Sequence, residues 1–131
     1  MRLSRFNALM LAQGLLGLGL ILYGALEARG HPATNTAGYP LGWDYSPACC
    51  QSAKTAPTGD CAPIDSKYVT EAPDGYHIDL PVGAHPKLKK KGYKGIVPYK
   101  DAKVSPEGNY HICLAIDGVH RFCFYAGDRG V

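Results

Sequence analysis

Residues 110–126 read YHICLAIDGVHRFCFYA, and this stretch decides the fold. Apolar and polar residues alternate on both sides of Asp117-Gly118, a pattern typical of two half-buried antiparallel strands joined by a turn. A three-residue loop at 116–118 places Ala115 opposite Val119 and separates apolar from polar side chains, whereas a two-residue turn would mix them. The sequence therefore predicts a hairpin with one largely apolar face: Tyr110, Ile112, Leu114, His120, Phe122 and Phe124.

Similar turn chemistry upstream predicts a second hairpin. A three-residue loop at Pro73-Asp74-Gly75 would join strands 67–72 and 76–80. Its apolar face would hold Tyr68, Thr70, Tyr76, Ile78 and Leu80. We further expect a strand or irregular segment at 94–99, limited by Pro98, and one helical turn near 101–104. Ten prolines and sixteen glycines disfavour long helices, so the fold class is mainly β, a small antiparallel domain of hairpins over residues 43–131.

The N-terminus predicts export from the cytoplasm. Arg2 and Arg5 precede an apolar run at 8–26, which is the pattern of a signal peptide. The run is also nearly long enough to span a bilayer, so residues 1–28 are a signal peptide or a retained N-terminal membrane anchor helix. Either way the positive start directs the rest of the chain outward, to a periplasmic or secreted location. Residues 29–42 contain small residues, Gly and Pro without periodicity, and are predicted to be a linker.

The cysteines of an exported chain are interpreted first as a disulfide framework. There are five, so at most two bridges form within the chain and one thiol is left over. In the predicted register Cys113 and Cys123 are diagonal neighbours, at the limit of disulfide reach. We therefore expect at least one long-range bridge from the N-terminal loop to the C-terminal hairpin, with the pairing left open. The candidates are Cys49, Cys50, Cys61, Cys113 and Cys123.

A metal site is the alternative use of these residues. The stretch 46–61, SPACCQSAKTAPTGDC, has no C-x-x-C pair, which argues against a zinc knuckle. His111 and Cys113, with His77 or His31 as a third ligand, are the candidate set for periplasmic copper or zinc binding. A thiol enzyme is a minor alternative. No G-x-S-x-G or H-E-x-x-H motif is present, so we expect neither catalysis nor a cofactor.

Electrostatic and aromatic residues supply the candidate binding surface. Residues 87–94 read KLKKKGYK, a basic loop suited to anionic partners. Trp43 is expected to anchor the N-terminal loop on the sheet, and the candidates for partner contact are Trp43, Lys89, Lys90, Lys91 and Tyr93. The expected partner is an envelope protein or polysaccharide, with membrane contact through 8–26 and 87–94 as a further option. Export argues against nucleic acid.

Ordered motifs also carry a resemblance. Trp43 to Cys50 (W-x-Y-x3-CC) is followed by D-C-x-P at 60–63, Y-H-x-C at 110–113 and C-F-Y at 123–125. This order resembles small secreted cysteine-containing bacterial proteins of an uncharacterised family. The resemblance implies an exported cysteine-containing domain and no activity. The sequence thus predicts a non-catalytic cell-envelope domain with a structural or partner-binding role.

Overall fold

The computed structural model describes residues 30–50 and 59–127, which form nine strands in three sheets. β1 pairs with β2, the second sheet has the order β3-β8-β9-β7, and the third has the order β4-β5-β6. All pairings are antiparallel except β7 with β9. The strands are β1 Pro32–Thr34, β2 Pro40–Asp44, β3 Cys61–Ile64, β4 Val69–Ala72, β5 Gly75–Leu80, β6 Tyr93–Val97, β7 Lys103–Val104, β8 Tyr110–Leu114 and β9 Arg121–Ala126. Three 3-10 helices lie at Pro47–Cys49, Ser66–Tyr68 and Tyr99–Asp101.

The mainly β, antiparallel prediction is confirmed, together with the disulfides. The predicted N-terminal signal or anchor at 1–28 lies outside the described residues. Within the described ranges, no helix has the length and apolar character needed to cross a bilayer.

The C-terminal hairpin forms, but its predicted register is wrong by two residues. Ile112 pairs with Phe124 and Cys113 with Cys123, so the connection runs over 115–120. The longer turn closes because the Asp117 carboxylate accepts the backbone N–H groups of Val119 and His120, at 2.8 and 3.1 Å. A two-residue shift keeps each side chain on its face, so Ile112, Leu114 and Phe124 are buried as predicted. An irregularity after Cys113 places Phe122 against the disulfides, and His120 is exposed.

The second hairpin differs from its prediction by one residue. Ala72 pairs with Gly75, leaving a two-residue turn at Pro73-Asp74. This shift exchanges the faces of β4, so Val69 packs on the core while Thr70 is exposed. Gly75 is required there, because its φ is 139° and a Cβ would lie 2.2 Å from the Val97 carbonyl oxygen.

The remaining local predictions are confirmed in part. The segment expected at 94–99 is β6, which ends just before Pro98. The helical turn lies at Tyr99–Asp101 rather than 101–104, where Lys103–Val104 instead forms β7.

The predicted linker at 29–42 is wrong for its described part, which contains β1 and the start of β2. The Asn35 side chain closes this hairpin by accepting the backbone N–H groups of Ala37 and Tyr39, each at 3.0 Å. Ala33 and His31 are buried against the rest of the domain. β1 has only three residues and buries one small alanine, so its own sequence carries no alternating pattern, although Leu41 and Trp43 on β2 are half-buried on one side.

Two clusters of buried side chains hold the sheets together. The main core lies between the β3-β8-β9-β7 and β4-β5-β6 sheets. It contains Ile64, Tyr76, Ile78, Leu80, Leu88, Tyr93, Val97, Ile112, Leu114, Phe124 and Ala126. The second cluster, here called the cystine core, joins the N-terminal hairpin to the opposite side of β8 and β9. It contains Ala33, Tyr45, Cys49, Cys61, Cys113 and Tyr125.

Candidate functional site

Two long-range disulfides lie at the centre of the cystine core. Cys49 is bonded to Cys123 and Cys61 to Cys113, which confirms the expected long-range bridging. Cys61 stands directly opposite Cys113, because β3 and β8 pair in that register. Cys50 is the leftover thiol. Both bridges therefore fasten the segment before or at β3 to the C-terminal hairpin.

The Cys50 thiol lies beside the second disulfide. Its Sγ atom is 3.4 Å from the Cys61 Sγ, and a ring nitrogen of His31 lies within 4.8 Å of both sulfurs. His31 is only 6% exposed, and its Nε2 has no hydrogen-bond partner among the described residues. Burial raises the pKa of the Cys50 thiol, which keeps it protonated rather than as a reactive thiolate at neutral pH.

Aromatic rings surround the Cys49–Cys123 bridge. The Trp43 ring lies edge-on to Tyr45 and His111, with centroids 5.0 and 5.3 Å away. The Tyr125 hydroxyl accepts the backbone N–H of Ser46 at 3.0 Å and donates to the Cys49 sulfur at 3.3 Å. Trp43 thus packs the N-terminal segment onto the sheet, and most of its ring contacts are internal rather than available to a partner.

His111 is committed to a buried hydrogen-bond network. Its Nε2–H donates to the Glu107 carboxylate, so its Nδ1 accepts the Tyr45 hydroxyl proton at 2.7 Å. Burial lowers the pKa of His111 and raises the pKa of Tyr45 well above its ordinary value. Both ring nitrogens of His111 therefore form hydrogen bonds within the domain.

The structure does not bring together the metal set His111, Cys113 and His77. Cys113 is bonded to Cys61 in a disulfide and offers no thiolate. His77 lies on β5, in the other sheet, where its Nε2 is 2.7 Å from the Asp74 carboxylate. Of the residues considered for metal binding, His31 is the one placed beside a free thiol.

The basic loop is anchored at its start and exposed beyond it. The Lys87 ammonium lies 3.2 Å from the Asp60 carboxylate, with both side chains largely removed from solvent. Leu88 is 1% exposed and belongs to the main core. Lys89, Lys90 and Lys91 are exposed. Tyr93 is 8% exposed and packs in the main core, so the prediction that it contacts a partner is wrong.

A groove of about 790 Å³ runs between the 81–92 loop and the 115–120 turn. Four lysines form part of its wall, and Ile116, which is 87% exposed, contributes an aliphatic surface. The lining residues are Gly83, Ala84, His85, Pro86, Lys87, Lys89, Lys90, Lys91, Ile116 and Asp117.

Sequence reasoning missed His85, which supports this groove. It is buried, its Nε2–H donates to the Ile112 carbonyl at 3.2 Å, and its Nδ1 accepts the Lys87 backbone N–H at 3.1 Å. Desolvation lowers its pKa to about 4, so the ring is neutral at pH 7. A histidine in GAHPK carries no pattern that would have indicated burial.

Searches with this chain match no family model, no curated protein and no solved structure.

Proposed function

We propose that this protein is an exported, non-catalytic domain of the bacterial cell envelope that binds an acidic segment of a partner protein in the groove beside the basic loop. The observation that carries the proposal is the row of Lys89, Lys90 and Lys91 on the groove wall. None of the three forms an ion pair with a carboxylate of the described residues.

The charge of the groove favours an anionic ligand. Its one lining carboxylate, Asp117, already accepts two backbone N–H groups and pairs with His120 at 2.5 Å. The three lysines therefore give the groove wall positive charge that no carboxylate of the described residues pairs with directly. Such a patch raises the association rate of an acidic partner and favours its orientation.

The shape and apolar lining favour a protein segment over a sugar or a lipid surface. Ala84, Pro86 and Ile116 provide aliphatic contact beside the lysines. Sugar-binding sites generally use exposed aromatic faces, and the described lining contains no Phe, Tyr or Trp. A concave groove suits an extended chain with both acidic and aliphatic side chains better than it suits a flat membrane.

The groove is supported by a rigid segment of the fold. Gly83 N–H donates to the Leu88 carbonyl at 2.8 Å, and Leu88 N–H donates to the His85 carbonyl at 2.9 Å. The Lys87–Asp60 ion pair ties the same segment to the start of β3. A preorganised loop loses less conformational entropy on binding, which supports a recognition role.

The disulfides support the exported location, because such bonds persist in oxidising compartments. The thiol-enzyme alternative has less support, since the pKa of its candidate nucleophile, Cys50, is raised rather than lowered.

Fluorescence anisotropy with two labelled probes, poly-L-glutamate and a peptide of mixed Glu and Leu, tests the proposal. We expect both to bind, the mixed peptide more tightly, and affinity to fall as salt rises. The triple variant Lys89→Ser, Lys90→Ser, Lys91→Ser should weaken binding at least about 10-fold, the effect of losing ~1.4 kcal/mol. A matched triple variant, Lys67→Ser, Lys100→Ser, Lys103→Ser, removes the same charge from exposed positions elsewhere.

Equal losses in the two triple variants would overturn the proposal, because binding would then depend on net charge alone. Binding to phosphatidylglycerol vesicles with no binding of either peptide would also overturn it, in favour of a membrane surface. The variant Ile116→Ser should abolish the preference for the mixed peptide while leaving poly-L-glutamate binding unchanged.

A further inference from the structure

The cluster of His31, Cys50 and Cys61 in the cystine core does not take part in the groove. Ring nitrogen, thiol sulfur and disulfide sulfur all lie within 4.8 Å of one another. His31 comes from the segment leading into β1, Cys50 follows the first 3-10 helix, and Cys61 begins β3. Three separate segments thus place donor atoms at one point, and each is positioned by the disulfides or by β pairing.

The buried imidazole of His31 is the observation that indicates a ligand. A buried polar atom without a hydrogen-bond partner destabilises a fold. Nδ1 of His31 has a long contact of 3.5 Å to the Pro32 carbonyl, while Nε2 has no partner among the described residues. A buried imidazole whose Nε2 has no partner, placed beside a free thiol, is a donor set for a metal ion.

We propose that His31 and Cys50 bind one Cu(I) ion, with the Cys61 sulfur as a weak third contact. Thiolate sulfur is a soft ligand that binds Cu(I) and zinc well, and imidazole suits both metals. Binding replaces the Cys50 thiol proton, which is released to solvent, and forms the Cu–S bond without any change in oxidation state. Cys50 is half-buried, so the ion reaches it from solvent.

Charge and ligand number select Cu(I) over Zn(II). One thiolate neutralises a monovalent ion, whereas a divalent ion would leave a net positive charge in a largely buried site, which is costly. Zinc also takes four strong ligands in structural sites, and the disulfide holds Cys61 and Cys113 away from thiolate form. The described cluster therefore fits a monovalent ion of low coordination number.

Anaerobic competition with a chromophoric Cu(I) chelator tests this proposal on the untagged full chain with both disulfides intact. We expect one Cu(I) per protein. Cys50→Ser should weaken the affinity at least about 100-fold, exceeding the 10–100-fold typical for loss of an outer partner of a ligand. His31→Gln should weaken it about 10-fold or more, and X-ray absorption should show both sulfur and nitrogen neighbours.

His77→Ala and His120→Ala serve as controls, since both histidines are paired with aspartates in the exposed turns. They should leave Cu(I) affinity unchanged. Disulfide mapping of every variant shows whether the native pairing is retained, so that a loss of Cu(I) affinity in Cys50→Ser or His31→Gln is not attributed to misfolding. Binding that survives Cys50→Ser would overturn the proposal. Binding that appears only after reduction of the disulfides would overturn it too, because the ligands would then be the Cys61 and Cys113 thiols.

Discussion

Cys113 and Cys123 lie directly opposite each other on β8 and β9, yet each is bonded to a cysteine from the N-terminal half of the chain. Strand pairing already holds these two residues together, so a bond between them would add little constraint. The bonds that form instead close segments of 74 and 52 residues. In the chain-entropy description, longer closed loops remove more freedom from the unfolded chain.

Removing either bridge should therefore be strongly destabilising. The paired substitutions Cys49→Ala with Cys123→Ala, and Cys61→Ala with Cys113→Ala, should each lower the free energy of unfolding by about 4 kcal/mol. Urea denaturation followed by tryptophan fluorescence measures the loss, and Cys50→Ala is the matched control. A loss below about 1 kcal/mol for either pair would contradict the stabilising role of that bridge.

Acid should weaken the fold through His85. Its pKa is about 4 in the folded protein against an ordinary value of 6.5, so the unfolded chain binds more protons between these values. Stability is then complete above about pH 6.5 and falls as the pH drops towards 4, by roughly 3 kcal/mol. Burial is the main cause; Lys87 lowers the pKa further, while Asp60 and the Ile112 carbonyl oppose the shift.

Urea denaturation at pH 7 and pH 4.5 measures this dependence. His85→Gln keeps a hydrogen-bond donor and an acceptor but has no titrating ring, so it should remove most of the pH dependence of the free energy of unfolding. The pKa of His111 is lowered in the same direction, as are the pKa values of the Glu107 and Asp117 carboxyl groups, and these groups contribute to the remainder. An unchanged slope in His85→Gln would contradict the assignment to His85.

The Lys87–Asp60 pair should contribute more to stability than the ammonium of any exposed lysine of the basic loop. Lys87→Met leaves the buried Asp60 carboxylate without its ammonium and should cost about 3 kcal/mol. Lys91→Met, at an exposed position of the same loop, should change stability by no more than about 0.5 kcal/mol. Adding Asp60→Asn to Lys87→Met should recover part of the lost stability, because no carboxylate charge is then buried. A double variant less stable than Lys87→Met alone would argue against charge burial as the cause.

Contact between Cys50 and Cys61 should affect oxidative refolding. With their sulfurs 3.4 Å apart in the native geometry, a Cys50–Cys61 bond competes with Cys61–Cys113 before the fold is complete. Acid quenching and mass mapping should detect this isomer in the unmodified chain. Cys50→Ser should remove it and raise the yield of native pairing; equal yields would contradict the competition.

The fold class followed from the sequence because the alternation along β5, β8 and β9 survives small errors of alignment. The observed register of the C-terminal hairpin differs from the predicted one by two residues, which leaves Ile112, Leu114 and Phe124 on the core face, while the irregularity after Cys113 moves Phe122 to the other face. The predicted register was wrong because the Asp117 carboxylate stabilises a longer turn by accepting two backbone N–H groups. The alternation of apolar and polar residues gives no information about such a turn. In the second hairpin, Val69 and Thr70 are both β-branched, so the sequence pattern does not decide which of the two faces the core.

The candidate site was less accessible from sequence. The pairing of Cys61 with Cys113 follows from β3 lying beside β8, a long-range contact that no local pattern encodes. The placement of His31 depends on the small hairpin of β1 and β2, whose turn is closed by the Asn35 side chain rather than by a pattern that extends along both strands. Lys89, Lys90 and Lys91 were identified from charge alone, whereas the burial of Tyr93 depends on the register of β6 with β5.

The Cys61–Cys113 bridge is nested inside the Cys49–Cys123 bridge, so both span the peptide bonds between residues 61 and 113. Any single backbone cleavage between residues 49 and 123 leaves both fragments linked, because at least one bridge spans every peptide bond in that interval. A single protease cut between residues 50 and 61 would therefore release no fragment. The product would be a two-chain molecule heavier by the one water added in hydrolysis, and its two chains would separate only after reduction.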